Sequence, residues 1–307
     1  MGNYGSRIIT NSGSYNDDEN AGLSVSGIGD FNGDGIEDFA VSARYGRSES
    51  EYGYDRTTGA VYVVFGTEDA DLTIDLQDLD GTNGFKIEAD TQVSDFSYYD
   101  SPFGYKVTGL GDVNGDGIAD FGIVENRTEY GGYGYYGYYG RGGVKGVAYV
   151  VYGGQAVDGD RVKVTDLDGF RMDAAGEIVD LVALGDVDGD GVDDIGVLEL
   201  ADGGTVTRTS TYLYDANSNG YYDWDYDTNP NEYRNQTYYD HQLLDVTGYV
   251  VYGTGSDETR DDFDPIANSG DSEVIVSLPD LDSGAGQILD LGQVLGGGGF
   301  YGGESAV

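Results

Sequence analysis

Three stretches of this sequence space oxygen-bearing side chains so that they can hold a cation. They read Asp30-Phe31-Asn32-Gly33-Asp34-Gly35-Ile36-Glu37-Asp38, Asp112-Val113-Asn114-Gly115-Asp116-Gly117-Ile118-Ala119-Asp120 and Asp186-Val187-Asp188-Gly189-Asp190-Gly191-Val192-Asp193-Asp194. Side chains at loop positions 1, 3 and 5 converge on one point, and the glycine after them permits a sharp turn. A backbone carbonyl at position 7 and the carboxylate at position 9 complete a set of hard oxygen ligands, which favours Ca2+ over softer metals. The first site would use Asp30, Asn32, Asp34 and Asp38 with the Ile36 carbonyl. The second would use Asp112, Asn114, Asp116 and Asp120 with the Ile118 carbonyl, and the third Asp186, Asp188, Asp190 and Asp194 with the Val192 carbonyl. The plainer alternative is a polar hairpin turn with no ion. Acidic oxygens crowded around one turn repel strongly without a cation, which weighs against it.

A fourth stretch keeps the spacing at Asp215, Asn217, Asn219, Tyr221 and Asp223, with two carboxylates. Fewer charges mean weaker binding, and an Asn-Gly hairpin turn without metal accounts for it equally well. Three Ca2+ sites are expected, with a fourth left open. Val41, Ile123 and Val197 stand where a helix–loop–helix calcium hand carries its last Glu, so these loops are expected to join strands.

The elements that position the loops recur with them. Downstream of the three loops come Gly59-Ala60-Val61-Tyr62-Val63-Val64-Phe65-Gly66, Gly146-Val147-Ala148-Tyr149-Val150-Val151-Tyr152-Gly153 and Gly248-Tyr249-Val250-Val251-Tyr252-Gly253. Leu79-Asp80-Gly81, Leu167-Asp168-Gly169 and Leu281-Asp282-Ser283 close the units. The alternation in Leu23-Ser24-Val25-Ser26-Gly27-Ile28 is a half-buried strand pattern, and the Val/Tyr/Phe run at 61–65 suits a strand buried on both faces. The first unit reads as strands over 23–29, 39–43, 60–65 and 72–76. Four antiparallel strands per repeat is the sequence form of a β-propeller blade.

The expected fold is therefore all-β, with β-propeller-type four-stranded antiparallel blades: three full repeats (about 20–89, 101–174 and 175–283) and a partial fourth (285–295). Residues 1–295 would form one repeat domain and 296–307 a Gly-rich tail. The partial copy is suggested by Ala285-Gly286-Gln287-Ile288-Leu289-Asp290-Leu291, which parallels Ala175-Gly176-Glu177-Ile178-Val179-Asp180-Leu181. Closed propellers have about 4–8 blades, so three are short of closing alone.

Composition narrows the function. Lys and Arg total 15 against 57 Asp and Glu, a formal net charge of -42. A fold carrying that charge repels itself and needs cations or salt. Nucleic acid is excluded as a partner, because phosphate contacts need clustered Lys and Arg. The chain has no cysteine, which removes disulfides, thiolate metal sites and cysteine nucleophiles. No apolar run approaches the ~20 residues of a membrane span.

The central loop motif, in all three copies, resembles the FG-GAP repeat, the blade unit of integrin α-subunit propellers and of many bacterial exoproteins. The naming dipeptides match less well: Phe103-Gly104 precedes the second loop, but Ala21-Gly22 and Glu177-Ile178 stand before the others. Ser42-Ala43-Arg44, Val124-Glu125-Asn126 and Leu198-Glu199-Leu200 replace the Gly-Ala-Pro element. The Leu79-Asp80-Gly81 and Gly84-Phe85 phrase is similar to the bacterial branch. The resemblance implies an extracellular, secreted or cell-surface location, calcium-rigidified blades, and a role in adhesion or the extracellular matrix. Met1-Gly2-Asn3-Tyr4-Gly5 lacks the basic and apolar regions of a secretory signal, so export would use a removed signal or another route.

Long insertions at 45–58, 126–145 and 201–246 are rich in tyrosine and leave equivalent points of the repeats. They suggest a contact surface for a glycan or protein, since Tyr offers area at little entropy cost; mobile low-complexity loops are the alternative. The one histidine, His241, has no Ser or Asp partner set around it, and the regularly spaced carboxylates are better explained as ligands. The expected function is thus non-enzymatic: a calcium-binding extracellular structural or adhesive protein that joins other chains through open blade edges. The alternative is a lectin-like module using the Tyr-rich loops. Partners would be further copies of itself or another extracellular protein or glycan.

Overall fold

The computed structural model describes residues 7–9, 21–43, 45–48, 56–68, 73–89, 103–130, 141–213, 233–253, 275–280 and 286–295. The first strands are β1 (Arg7–Ile9), β2 (Ala21–Gly29), β3 (Asp38–Ala43), β4 (Arg47–Ser48), β5 (Arg56–Thr57), β6 (Ala60–Val64), β7 (Thr73–Asp75) and β8 (Gly84–Glu88). Then come β9 (Phe103–Gly111), β10 (Asp120–Tyr130), β11 (Arg141–Val151), β12 (Arg161–Lys163) and β13 (Gly169–Asp173). The last are β14 (Glu177–Gly185), β15 (Asp194–Leu213), β16 (Tyr233–Val251), β17 (Ile275–Ser277) and β18 (Gly286–Leu295). The fold is all-β, with single 3-10 turns at Leu76–Asp78, Val164–Asp166 and Leu278–Asp280. Among the described residues no helix is long and apolar enough to cross a membrane.

Three sheets repeat one plan. The first runs β2-β3-β6-β8, antiparallel throughout, and the second β9-β10-β11-β13 likewise. The third runs β14-β15-β16-β18. Each of the first two carries one more short strand, paired in parallel at its outer edge: β12 beside β8 and β17 beside β13. The described elements form no closed propeller.

The chain divides into two compact units, Met1–Leu200 with Thr247–Leu291, and Ala201–Val246 with Gly292–Val307. In the second unit the described residues are strand backbone, at 201–213, 233–246 and 292–295.

Alternation along the central strands builds the core. Val61 and Val63 of β6 share a buried cluster with Phe121, Ile123, Tyr149 and Val151 of the second sheet. The intervening Tyr62 and Val64 pack on the opposite face with Val41, Leu76 and Leu79. Likewise Ala148 and Val150 of β11 face a cluster with Ile178, Leu181, Ile195 and Val197 of the third sheet. The unbroken apolar run at 60–64 is thus a strand buried on both sides, each large side chain contributing about 1.5–3 kcal/mol.

Two strand assignments differ from the sequence reading. The fourth strand of the first sheet is β8, with Val63 opposite Phe85, whereas 72–76 contributes only β7, which pairs in parallel with β1. The chain leaves β7 at once: Asp75 Oδ1 accepts from the Gln77 N–H at 3.1 Å and caps the 3-10 turn. Leu79-Asp80-Gly81 then turns into β8, where Phe85 and Ile87 fill the core. The second difference is at 285–291, read above as the start of a fourth repeat. The structure puts this segment in β18, next to β16, as the fourth strand of the third sheet. Gln287 Nε2 donates to Tyr252 Oη at 2.6 Å there. It follows its 3-10 turn as β8 and β13 follow theirs, so its likeness to β14 reflects shared strand alternation. Residues 296–307 lie outside the described set.

Candidate metal centre

Each acidic loop bridges the first two strands of its sheet. In the first, β2 ends at Gly29 and β3 begins at Asp38. Gly33 and Gly35 take φ of 77° and 90°, values that cost an L side chain strain. Gly35 N–H donates to Asp30 Oδ2 at 2.9 Å, Ile36 N–H to Asp34 Oδ1 at 2.8 Å, and Asp34 N–H to Asn32 Oδ1 at 2.9 Å. The second loop repeats these bonds at Gly117–Asp112, Ile118–Asp116 and Asp116–Asn114. The third repeats them at Gly191–Asp186, Val192–Asp190 and Asp190–Asp188. The side chains at positions 1, 3 and 5 are thus gathered by the backbone they flank.

Position 9 is buried and fastens the loop to the sheet. Asp38 accepts from Phe31 N–H at 2.9 Å and from Gly66 N–H at 2.7 Å. Asp120 accepts from Val113 at 2.9 Å and Gly153 at 2.8 Å; Asp194 accepts from Val187 and Gly253, both at 2.8 Å. Gly66, Gly153 and Gly253 are the glycines that close the second sequence signature. A methyl there would run into the carbonyls of Glu37, Ala119 and Asp193 respectively, so a side chain is excluded by close approach.

These carboxylates crowd one another, and a bound cation would offset that crowding. Burial pushes Asp120 up to about 7; backbone hydrogen bonds from Gly153 and Val113 oppose this, and the charges of Asp116 and Asp112 add to it. Asp38 and Asp194 are raised for the same first cause, with Asp34 near one and Asp188 and Asp190 near the other. In the first two loops an amide eases the crowding: Asn32 Nδ2 donates to Asp34 Oδ2 at 3.1 Å and Asn114 Nδ2 to Asp116 Oδ2 at 2.9 Å. The third loop has Asp188 there, which offers no N–H. Its Asp186, Asp188 and Asp194 bring oxygens within 4.8 Å of one another, and Asp190 stands outside that group. In the first loop, Asp30 Oδ1 is buried without a hydrogen-bond partner. The convergent oxygens and the orphaned one fit a hard divalent ion.

The fourth candidate set, Asp215, Asn217, Asn219, Tyr221 and Asp223, lies outside the described residues, as do 49–55, 131–140 and the side chains of 202–245, including His241. Two acidic residues escaped the sequence reading. Glu125 accepts from Arg127 Nη2 at 2.7 Å and from Tyr149 Oη at 3.1 Å. At the same repeat position Glu199 accepts from Tyr249 Oη and from Gly176 N–H. Their signal was the coincidence of Glu125 with Glu199 and Tyr149 with Tyr249; the first repeat has Ala43 against Tyr62. Next to Glu125, Asn126 donates from Nδ2 to the Ile178 carbonyl at 2.9 Å and accepts from Ile178 N–H at 3.0 Å.

Antiparallel sheets whose first hairpins carry these acidic loops define the class. Residues 21–64, from β2 through the first loop to the end of β6, match the family model of the FG-GAP repeat, consistent with an FG-GAP repeat protein. No curated protein matches the chain.

Proposed function

We propose that this chain is a calcium-binding extracellular protein with a structural or adhesive role, built of propeller-type blades that the three acidic loops rigidify. The observation that carries the reading is the convergence of Asp186, Asp188 and Asp194 oxygens within 4.8 Å in the loop that has no amide to separate them. Such a cluster is stabilised by a divalent cation and strained without one. The FG-GAP match over 21–64 supports the extracellular and adhesive assignment, since repeats of this kind typically occur in extracellular binding proteins. We read the protein as a binder and not as an enzyme, because its regularly spaced carboxylates are assigned as metal ligands. Its partners are then other extracellular chains, met at open blade surfaces.

The test is thermal unfolding in chelator and in millimolar Ca2+, with binding stoichiometry from calorimetry. The reading expects a midpoint rise of many degrees and two to four ions per chain. An unchanged midpoint would reduce the loops to turns and remove the reading's main support.

A further inference from the structure

We infer that the chain associates head to tail with a second copy of itself, the first sheet of one copy docking on the third sheet of the next. The inference rests on the propeller-type reading above and names the partner that the open surfaces fit. It starts from residues that hold the same repeat position. Val25 corresponds to Val107 and Leu181, Phe39 to Phe121 and Ile195, Ile28 to Leu110 and Leu184, and Phe31 to Val113 and Val187.

Within the chain these positions build one interface twice. Ile28 and Phe31 of the first sheet are buried together with Val107 and Phe121 of the second, the Phe31 and Phe121 rings meeting edge-on at 5.2 Å. Leu110 and Val113 of the second sheet are buried together with Leu181 and Ile195 of the third. One half of each kind is left over. Val25 is 56% exposed where Val107 is 2% exposed, and Phe39 beside it is only half-buried. At the other end Val187 is 55% exposed where Phe31 and Val113 are 1% exposed, and Leu184 is 38% exposed.

The two leftover halves are complementary, because the same repeat joins their equivalents twice. A pairing of two third sheets would set Leu184 and Val187 against themselves, an arrangement the repeat does not use. The glycine pattern agrees. A methyl on Gly29 would run into Ala119, and one on Gly111 into the Asp193 carboxylate, so both glycines make room for the next sheet. Gly185 holds the same place with φ of 69°, and a methyl there would meet nothing nearer than Asp193 Oδ1 at 4.0 Å. Exposed Glu37 holds the position of Ala119 and Asp193. Docking brings Glu37 to Gly185 and Asp186 of the second copy, as Asp193 meets Gly111 and Asp112.

The outer part of the first sheet's face is already buried at Val41, Tyr62 and Val64. The contact is therefore confined to the inner strands beside the acidic loops. It is small, and the net charge of -42 opposes it. Association is accordingly weak, concentration-dependent and strengthened by Ca2+ and salt. Head-to-tail contacts either close a ring or run on as a filament.

Sedimentation equilibrium of the full chain, from micromolar to near-millimolar and in Ca2+, tests this. The mass should rise with concentration. Val25→Lys and Leu184→Lys should each weaken association about tenfold or more; lysine lowers the net negative charge, so added repulsion cannot be the cause. Mixed in equal amounts, the two variants should form a dimer and stop there, since one intact interface survives. A monomer at every concentration, insensitivity to either substitution, or no rescue on mixing would each overturn the inference. The Ca2+ melting curve is read in parallel on the same samples. A calcium-stabilised monomer sinks the docking alone, and a docked chain without calcium response sinks the metal reading alone.

Discussion

Asp193, in the third acidic loop, accepts a 3.0 Å hydrogen bond through Oδ2 from the backbone N–H of Asp112, the first residue of the second loop. Its own N–H donates back to the Asp112 carbonyl at 2.9 Å. Neighbouring loops are thereby fastened to each other by a residue that is not itself an expected ligand. Asp193→Ala should cost about 1.5–3 kcal/mol, the range for hydrogen bonds to charged groups. Asp193→Asn keeps an acceptor and should cost less than half as much. Urea unfolding in saturating Ca2+ measures both; equal losses would mean the Asp112 bond contributes nothing.

The first and ninth loop positions should behave differently. Asp112 is half-buried at the rim of the loop, whereas Asp120 is fully buried and holds Val113 and Gly153. Asp112→Ala should remove one Ca2+ equivalent from calorimetric titration and blunt the calcium-dependent rise in midpoint. Asp120→Ala should do the same and also destabilise the chelator-treated protein by about 2–4 kcal/mol, because two buried N–H groups lose their acceptor. If both variants leave the chelated protein equally stable, position 9 is a ligand only and not a fastening.

The acidic loops were legible because their spacing is set by the turn itself, and the buried strands because apolar runs such as 60–64 have no polar break. The fourth strand of each sheet was harder. Residues 72–76 and 84–88 are both short and alternating, and periodicity cannot say which of them pairs with β6. That choice is made by the cap at Asp75 and the turn at Asp80–Asn83, where Asp80 N–H donates to Asn83 Oδ1 at 3.0 Å. The same limit explains β18, whose alternation resembles β14 although its place is fixed by pairing with β16. Asp38, Asp120 and Asp194 were read from the sequence as expected ligands, but their fastening role needed the distant glycines 66, 153 and 253, which no local pattern connects to them.

The raised carboxyl of Asp120 gives the ion-free protein a distinctive pH response. Burial favours its protonated form in the fold, with about 7 as the folded value against about 4 unfolded. Its contribution to stability is fully present below about 4 and is lost as pH rises through about 7. Asp38 and Asp194 are raised too and push the same way. In chelator the midpoint should therefore fall between pH 4 and 7.5. If the loops hold Ca2+ as proposed, the ion would compensate the charged carboxylates, and the fall should be reduced or reversed. A chelated protein that gains stability across that range would contradict the crowding described here.

The buried Glu–Tyr pairs yield a last prediction, independent of any metal. Glu199 is fully buried, and Tyr249 Oη and Gly176 N–H are its donors. Burial and the adjoining Glu199 hold the Tyr249 phenol above the usual tyrosine range, so it is a neutral donor at any physiological pH. Tyr249→Phe removes that donor and should cost about 1–3 kcal/mol, since a buried carboxylate is left short of a partner. Glu199→Ala should cost a comparable amount by taking the acceptor from the hydroxyl and from the Gly176 amide. The double variant loses the bond only once, so its cost should fall short of the sum by about 1 kcal/mol or more. Denaturant unfolding of the wild type, both single variants and the double variant in saturating Ca2+ supplies the cycle. Strict additivity would mean that the pair recurs in the second and third sheets for shape alone, with Tyr149 and Tyr249 filling the same space that Tyr62 fills against Ala43.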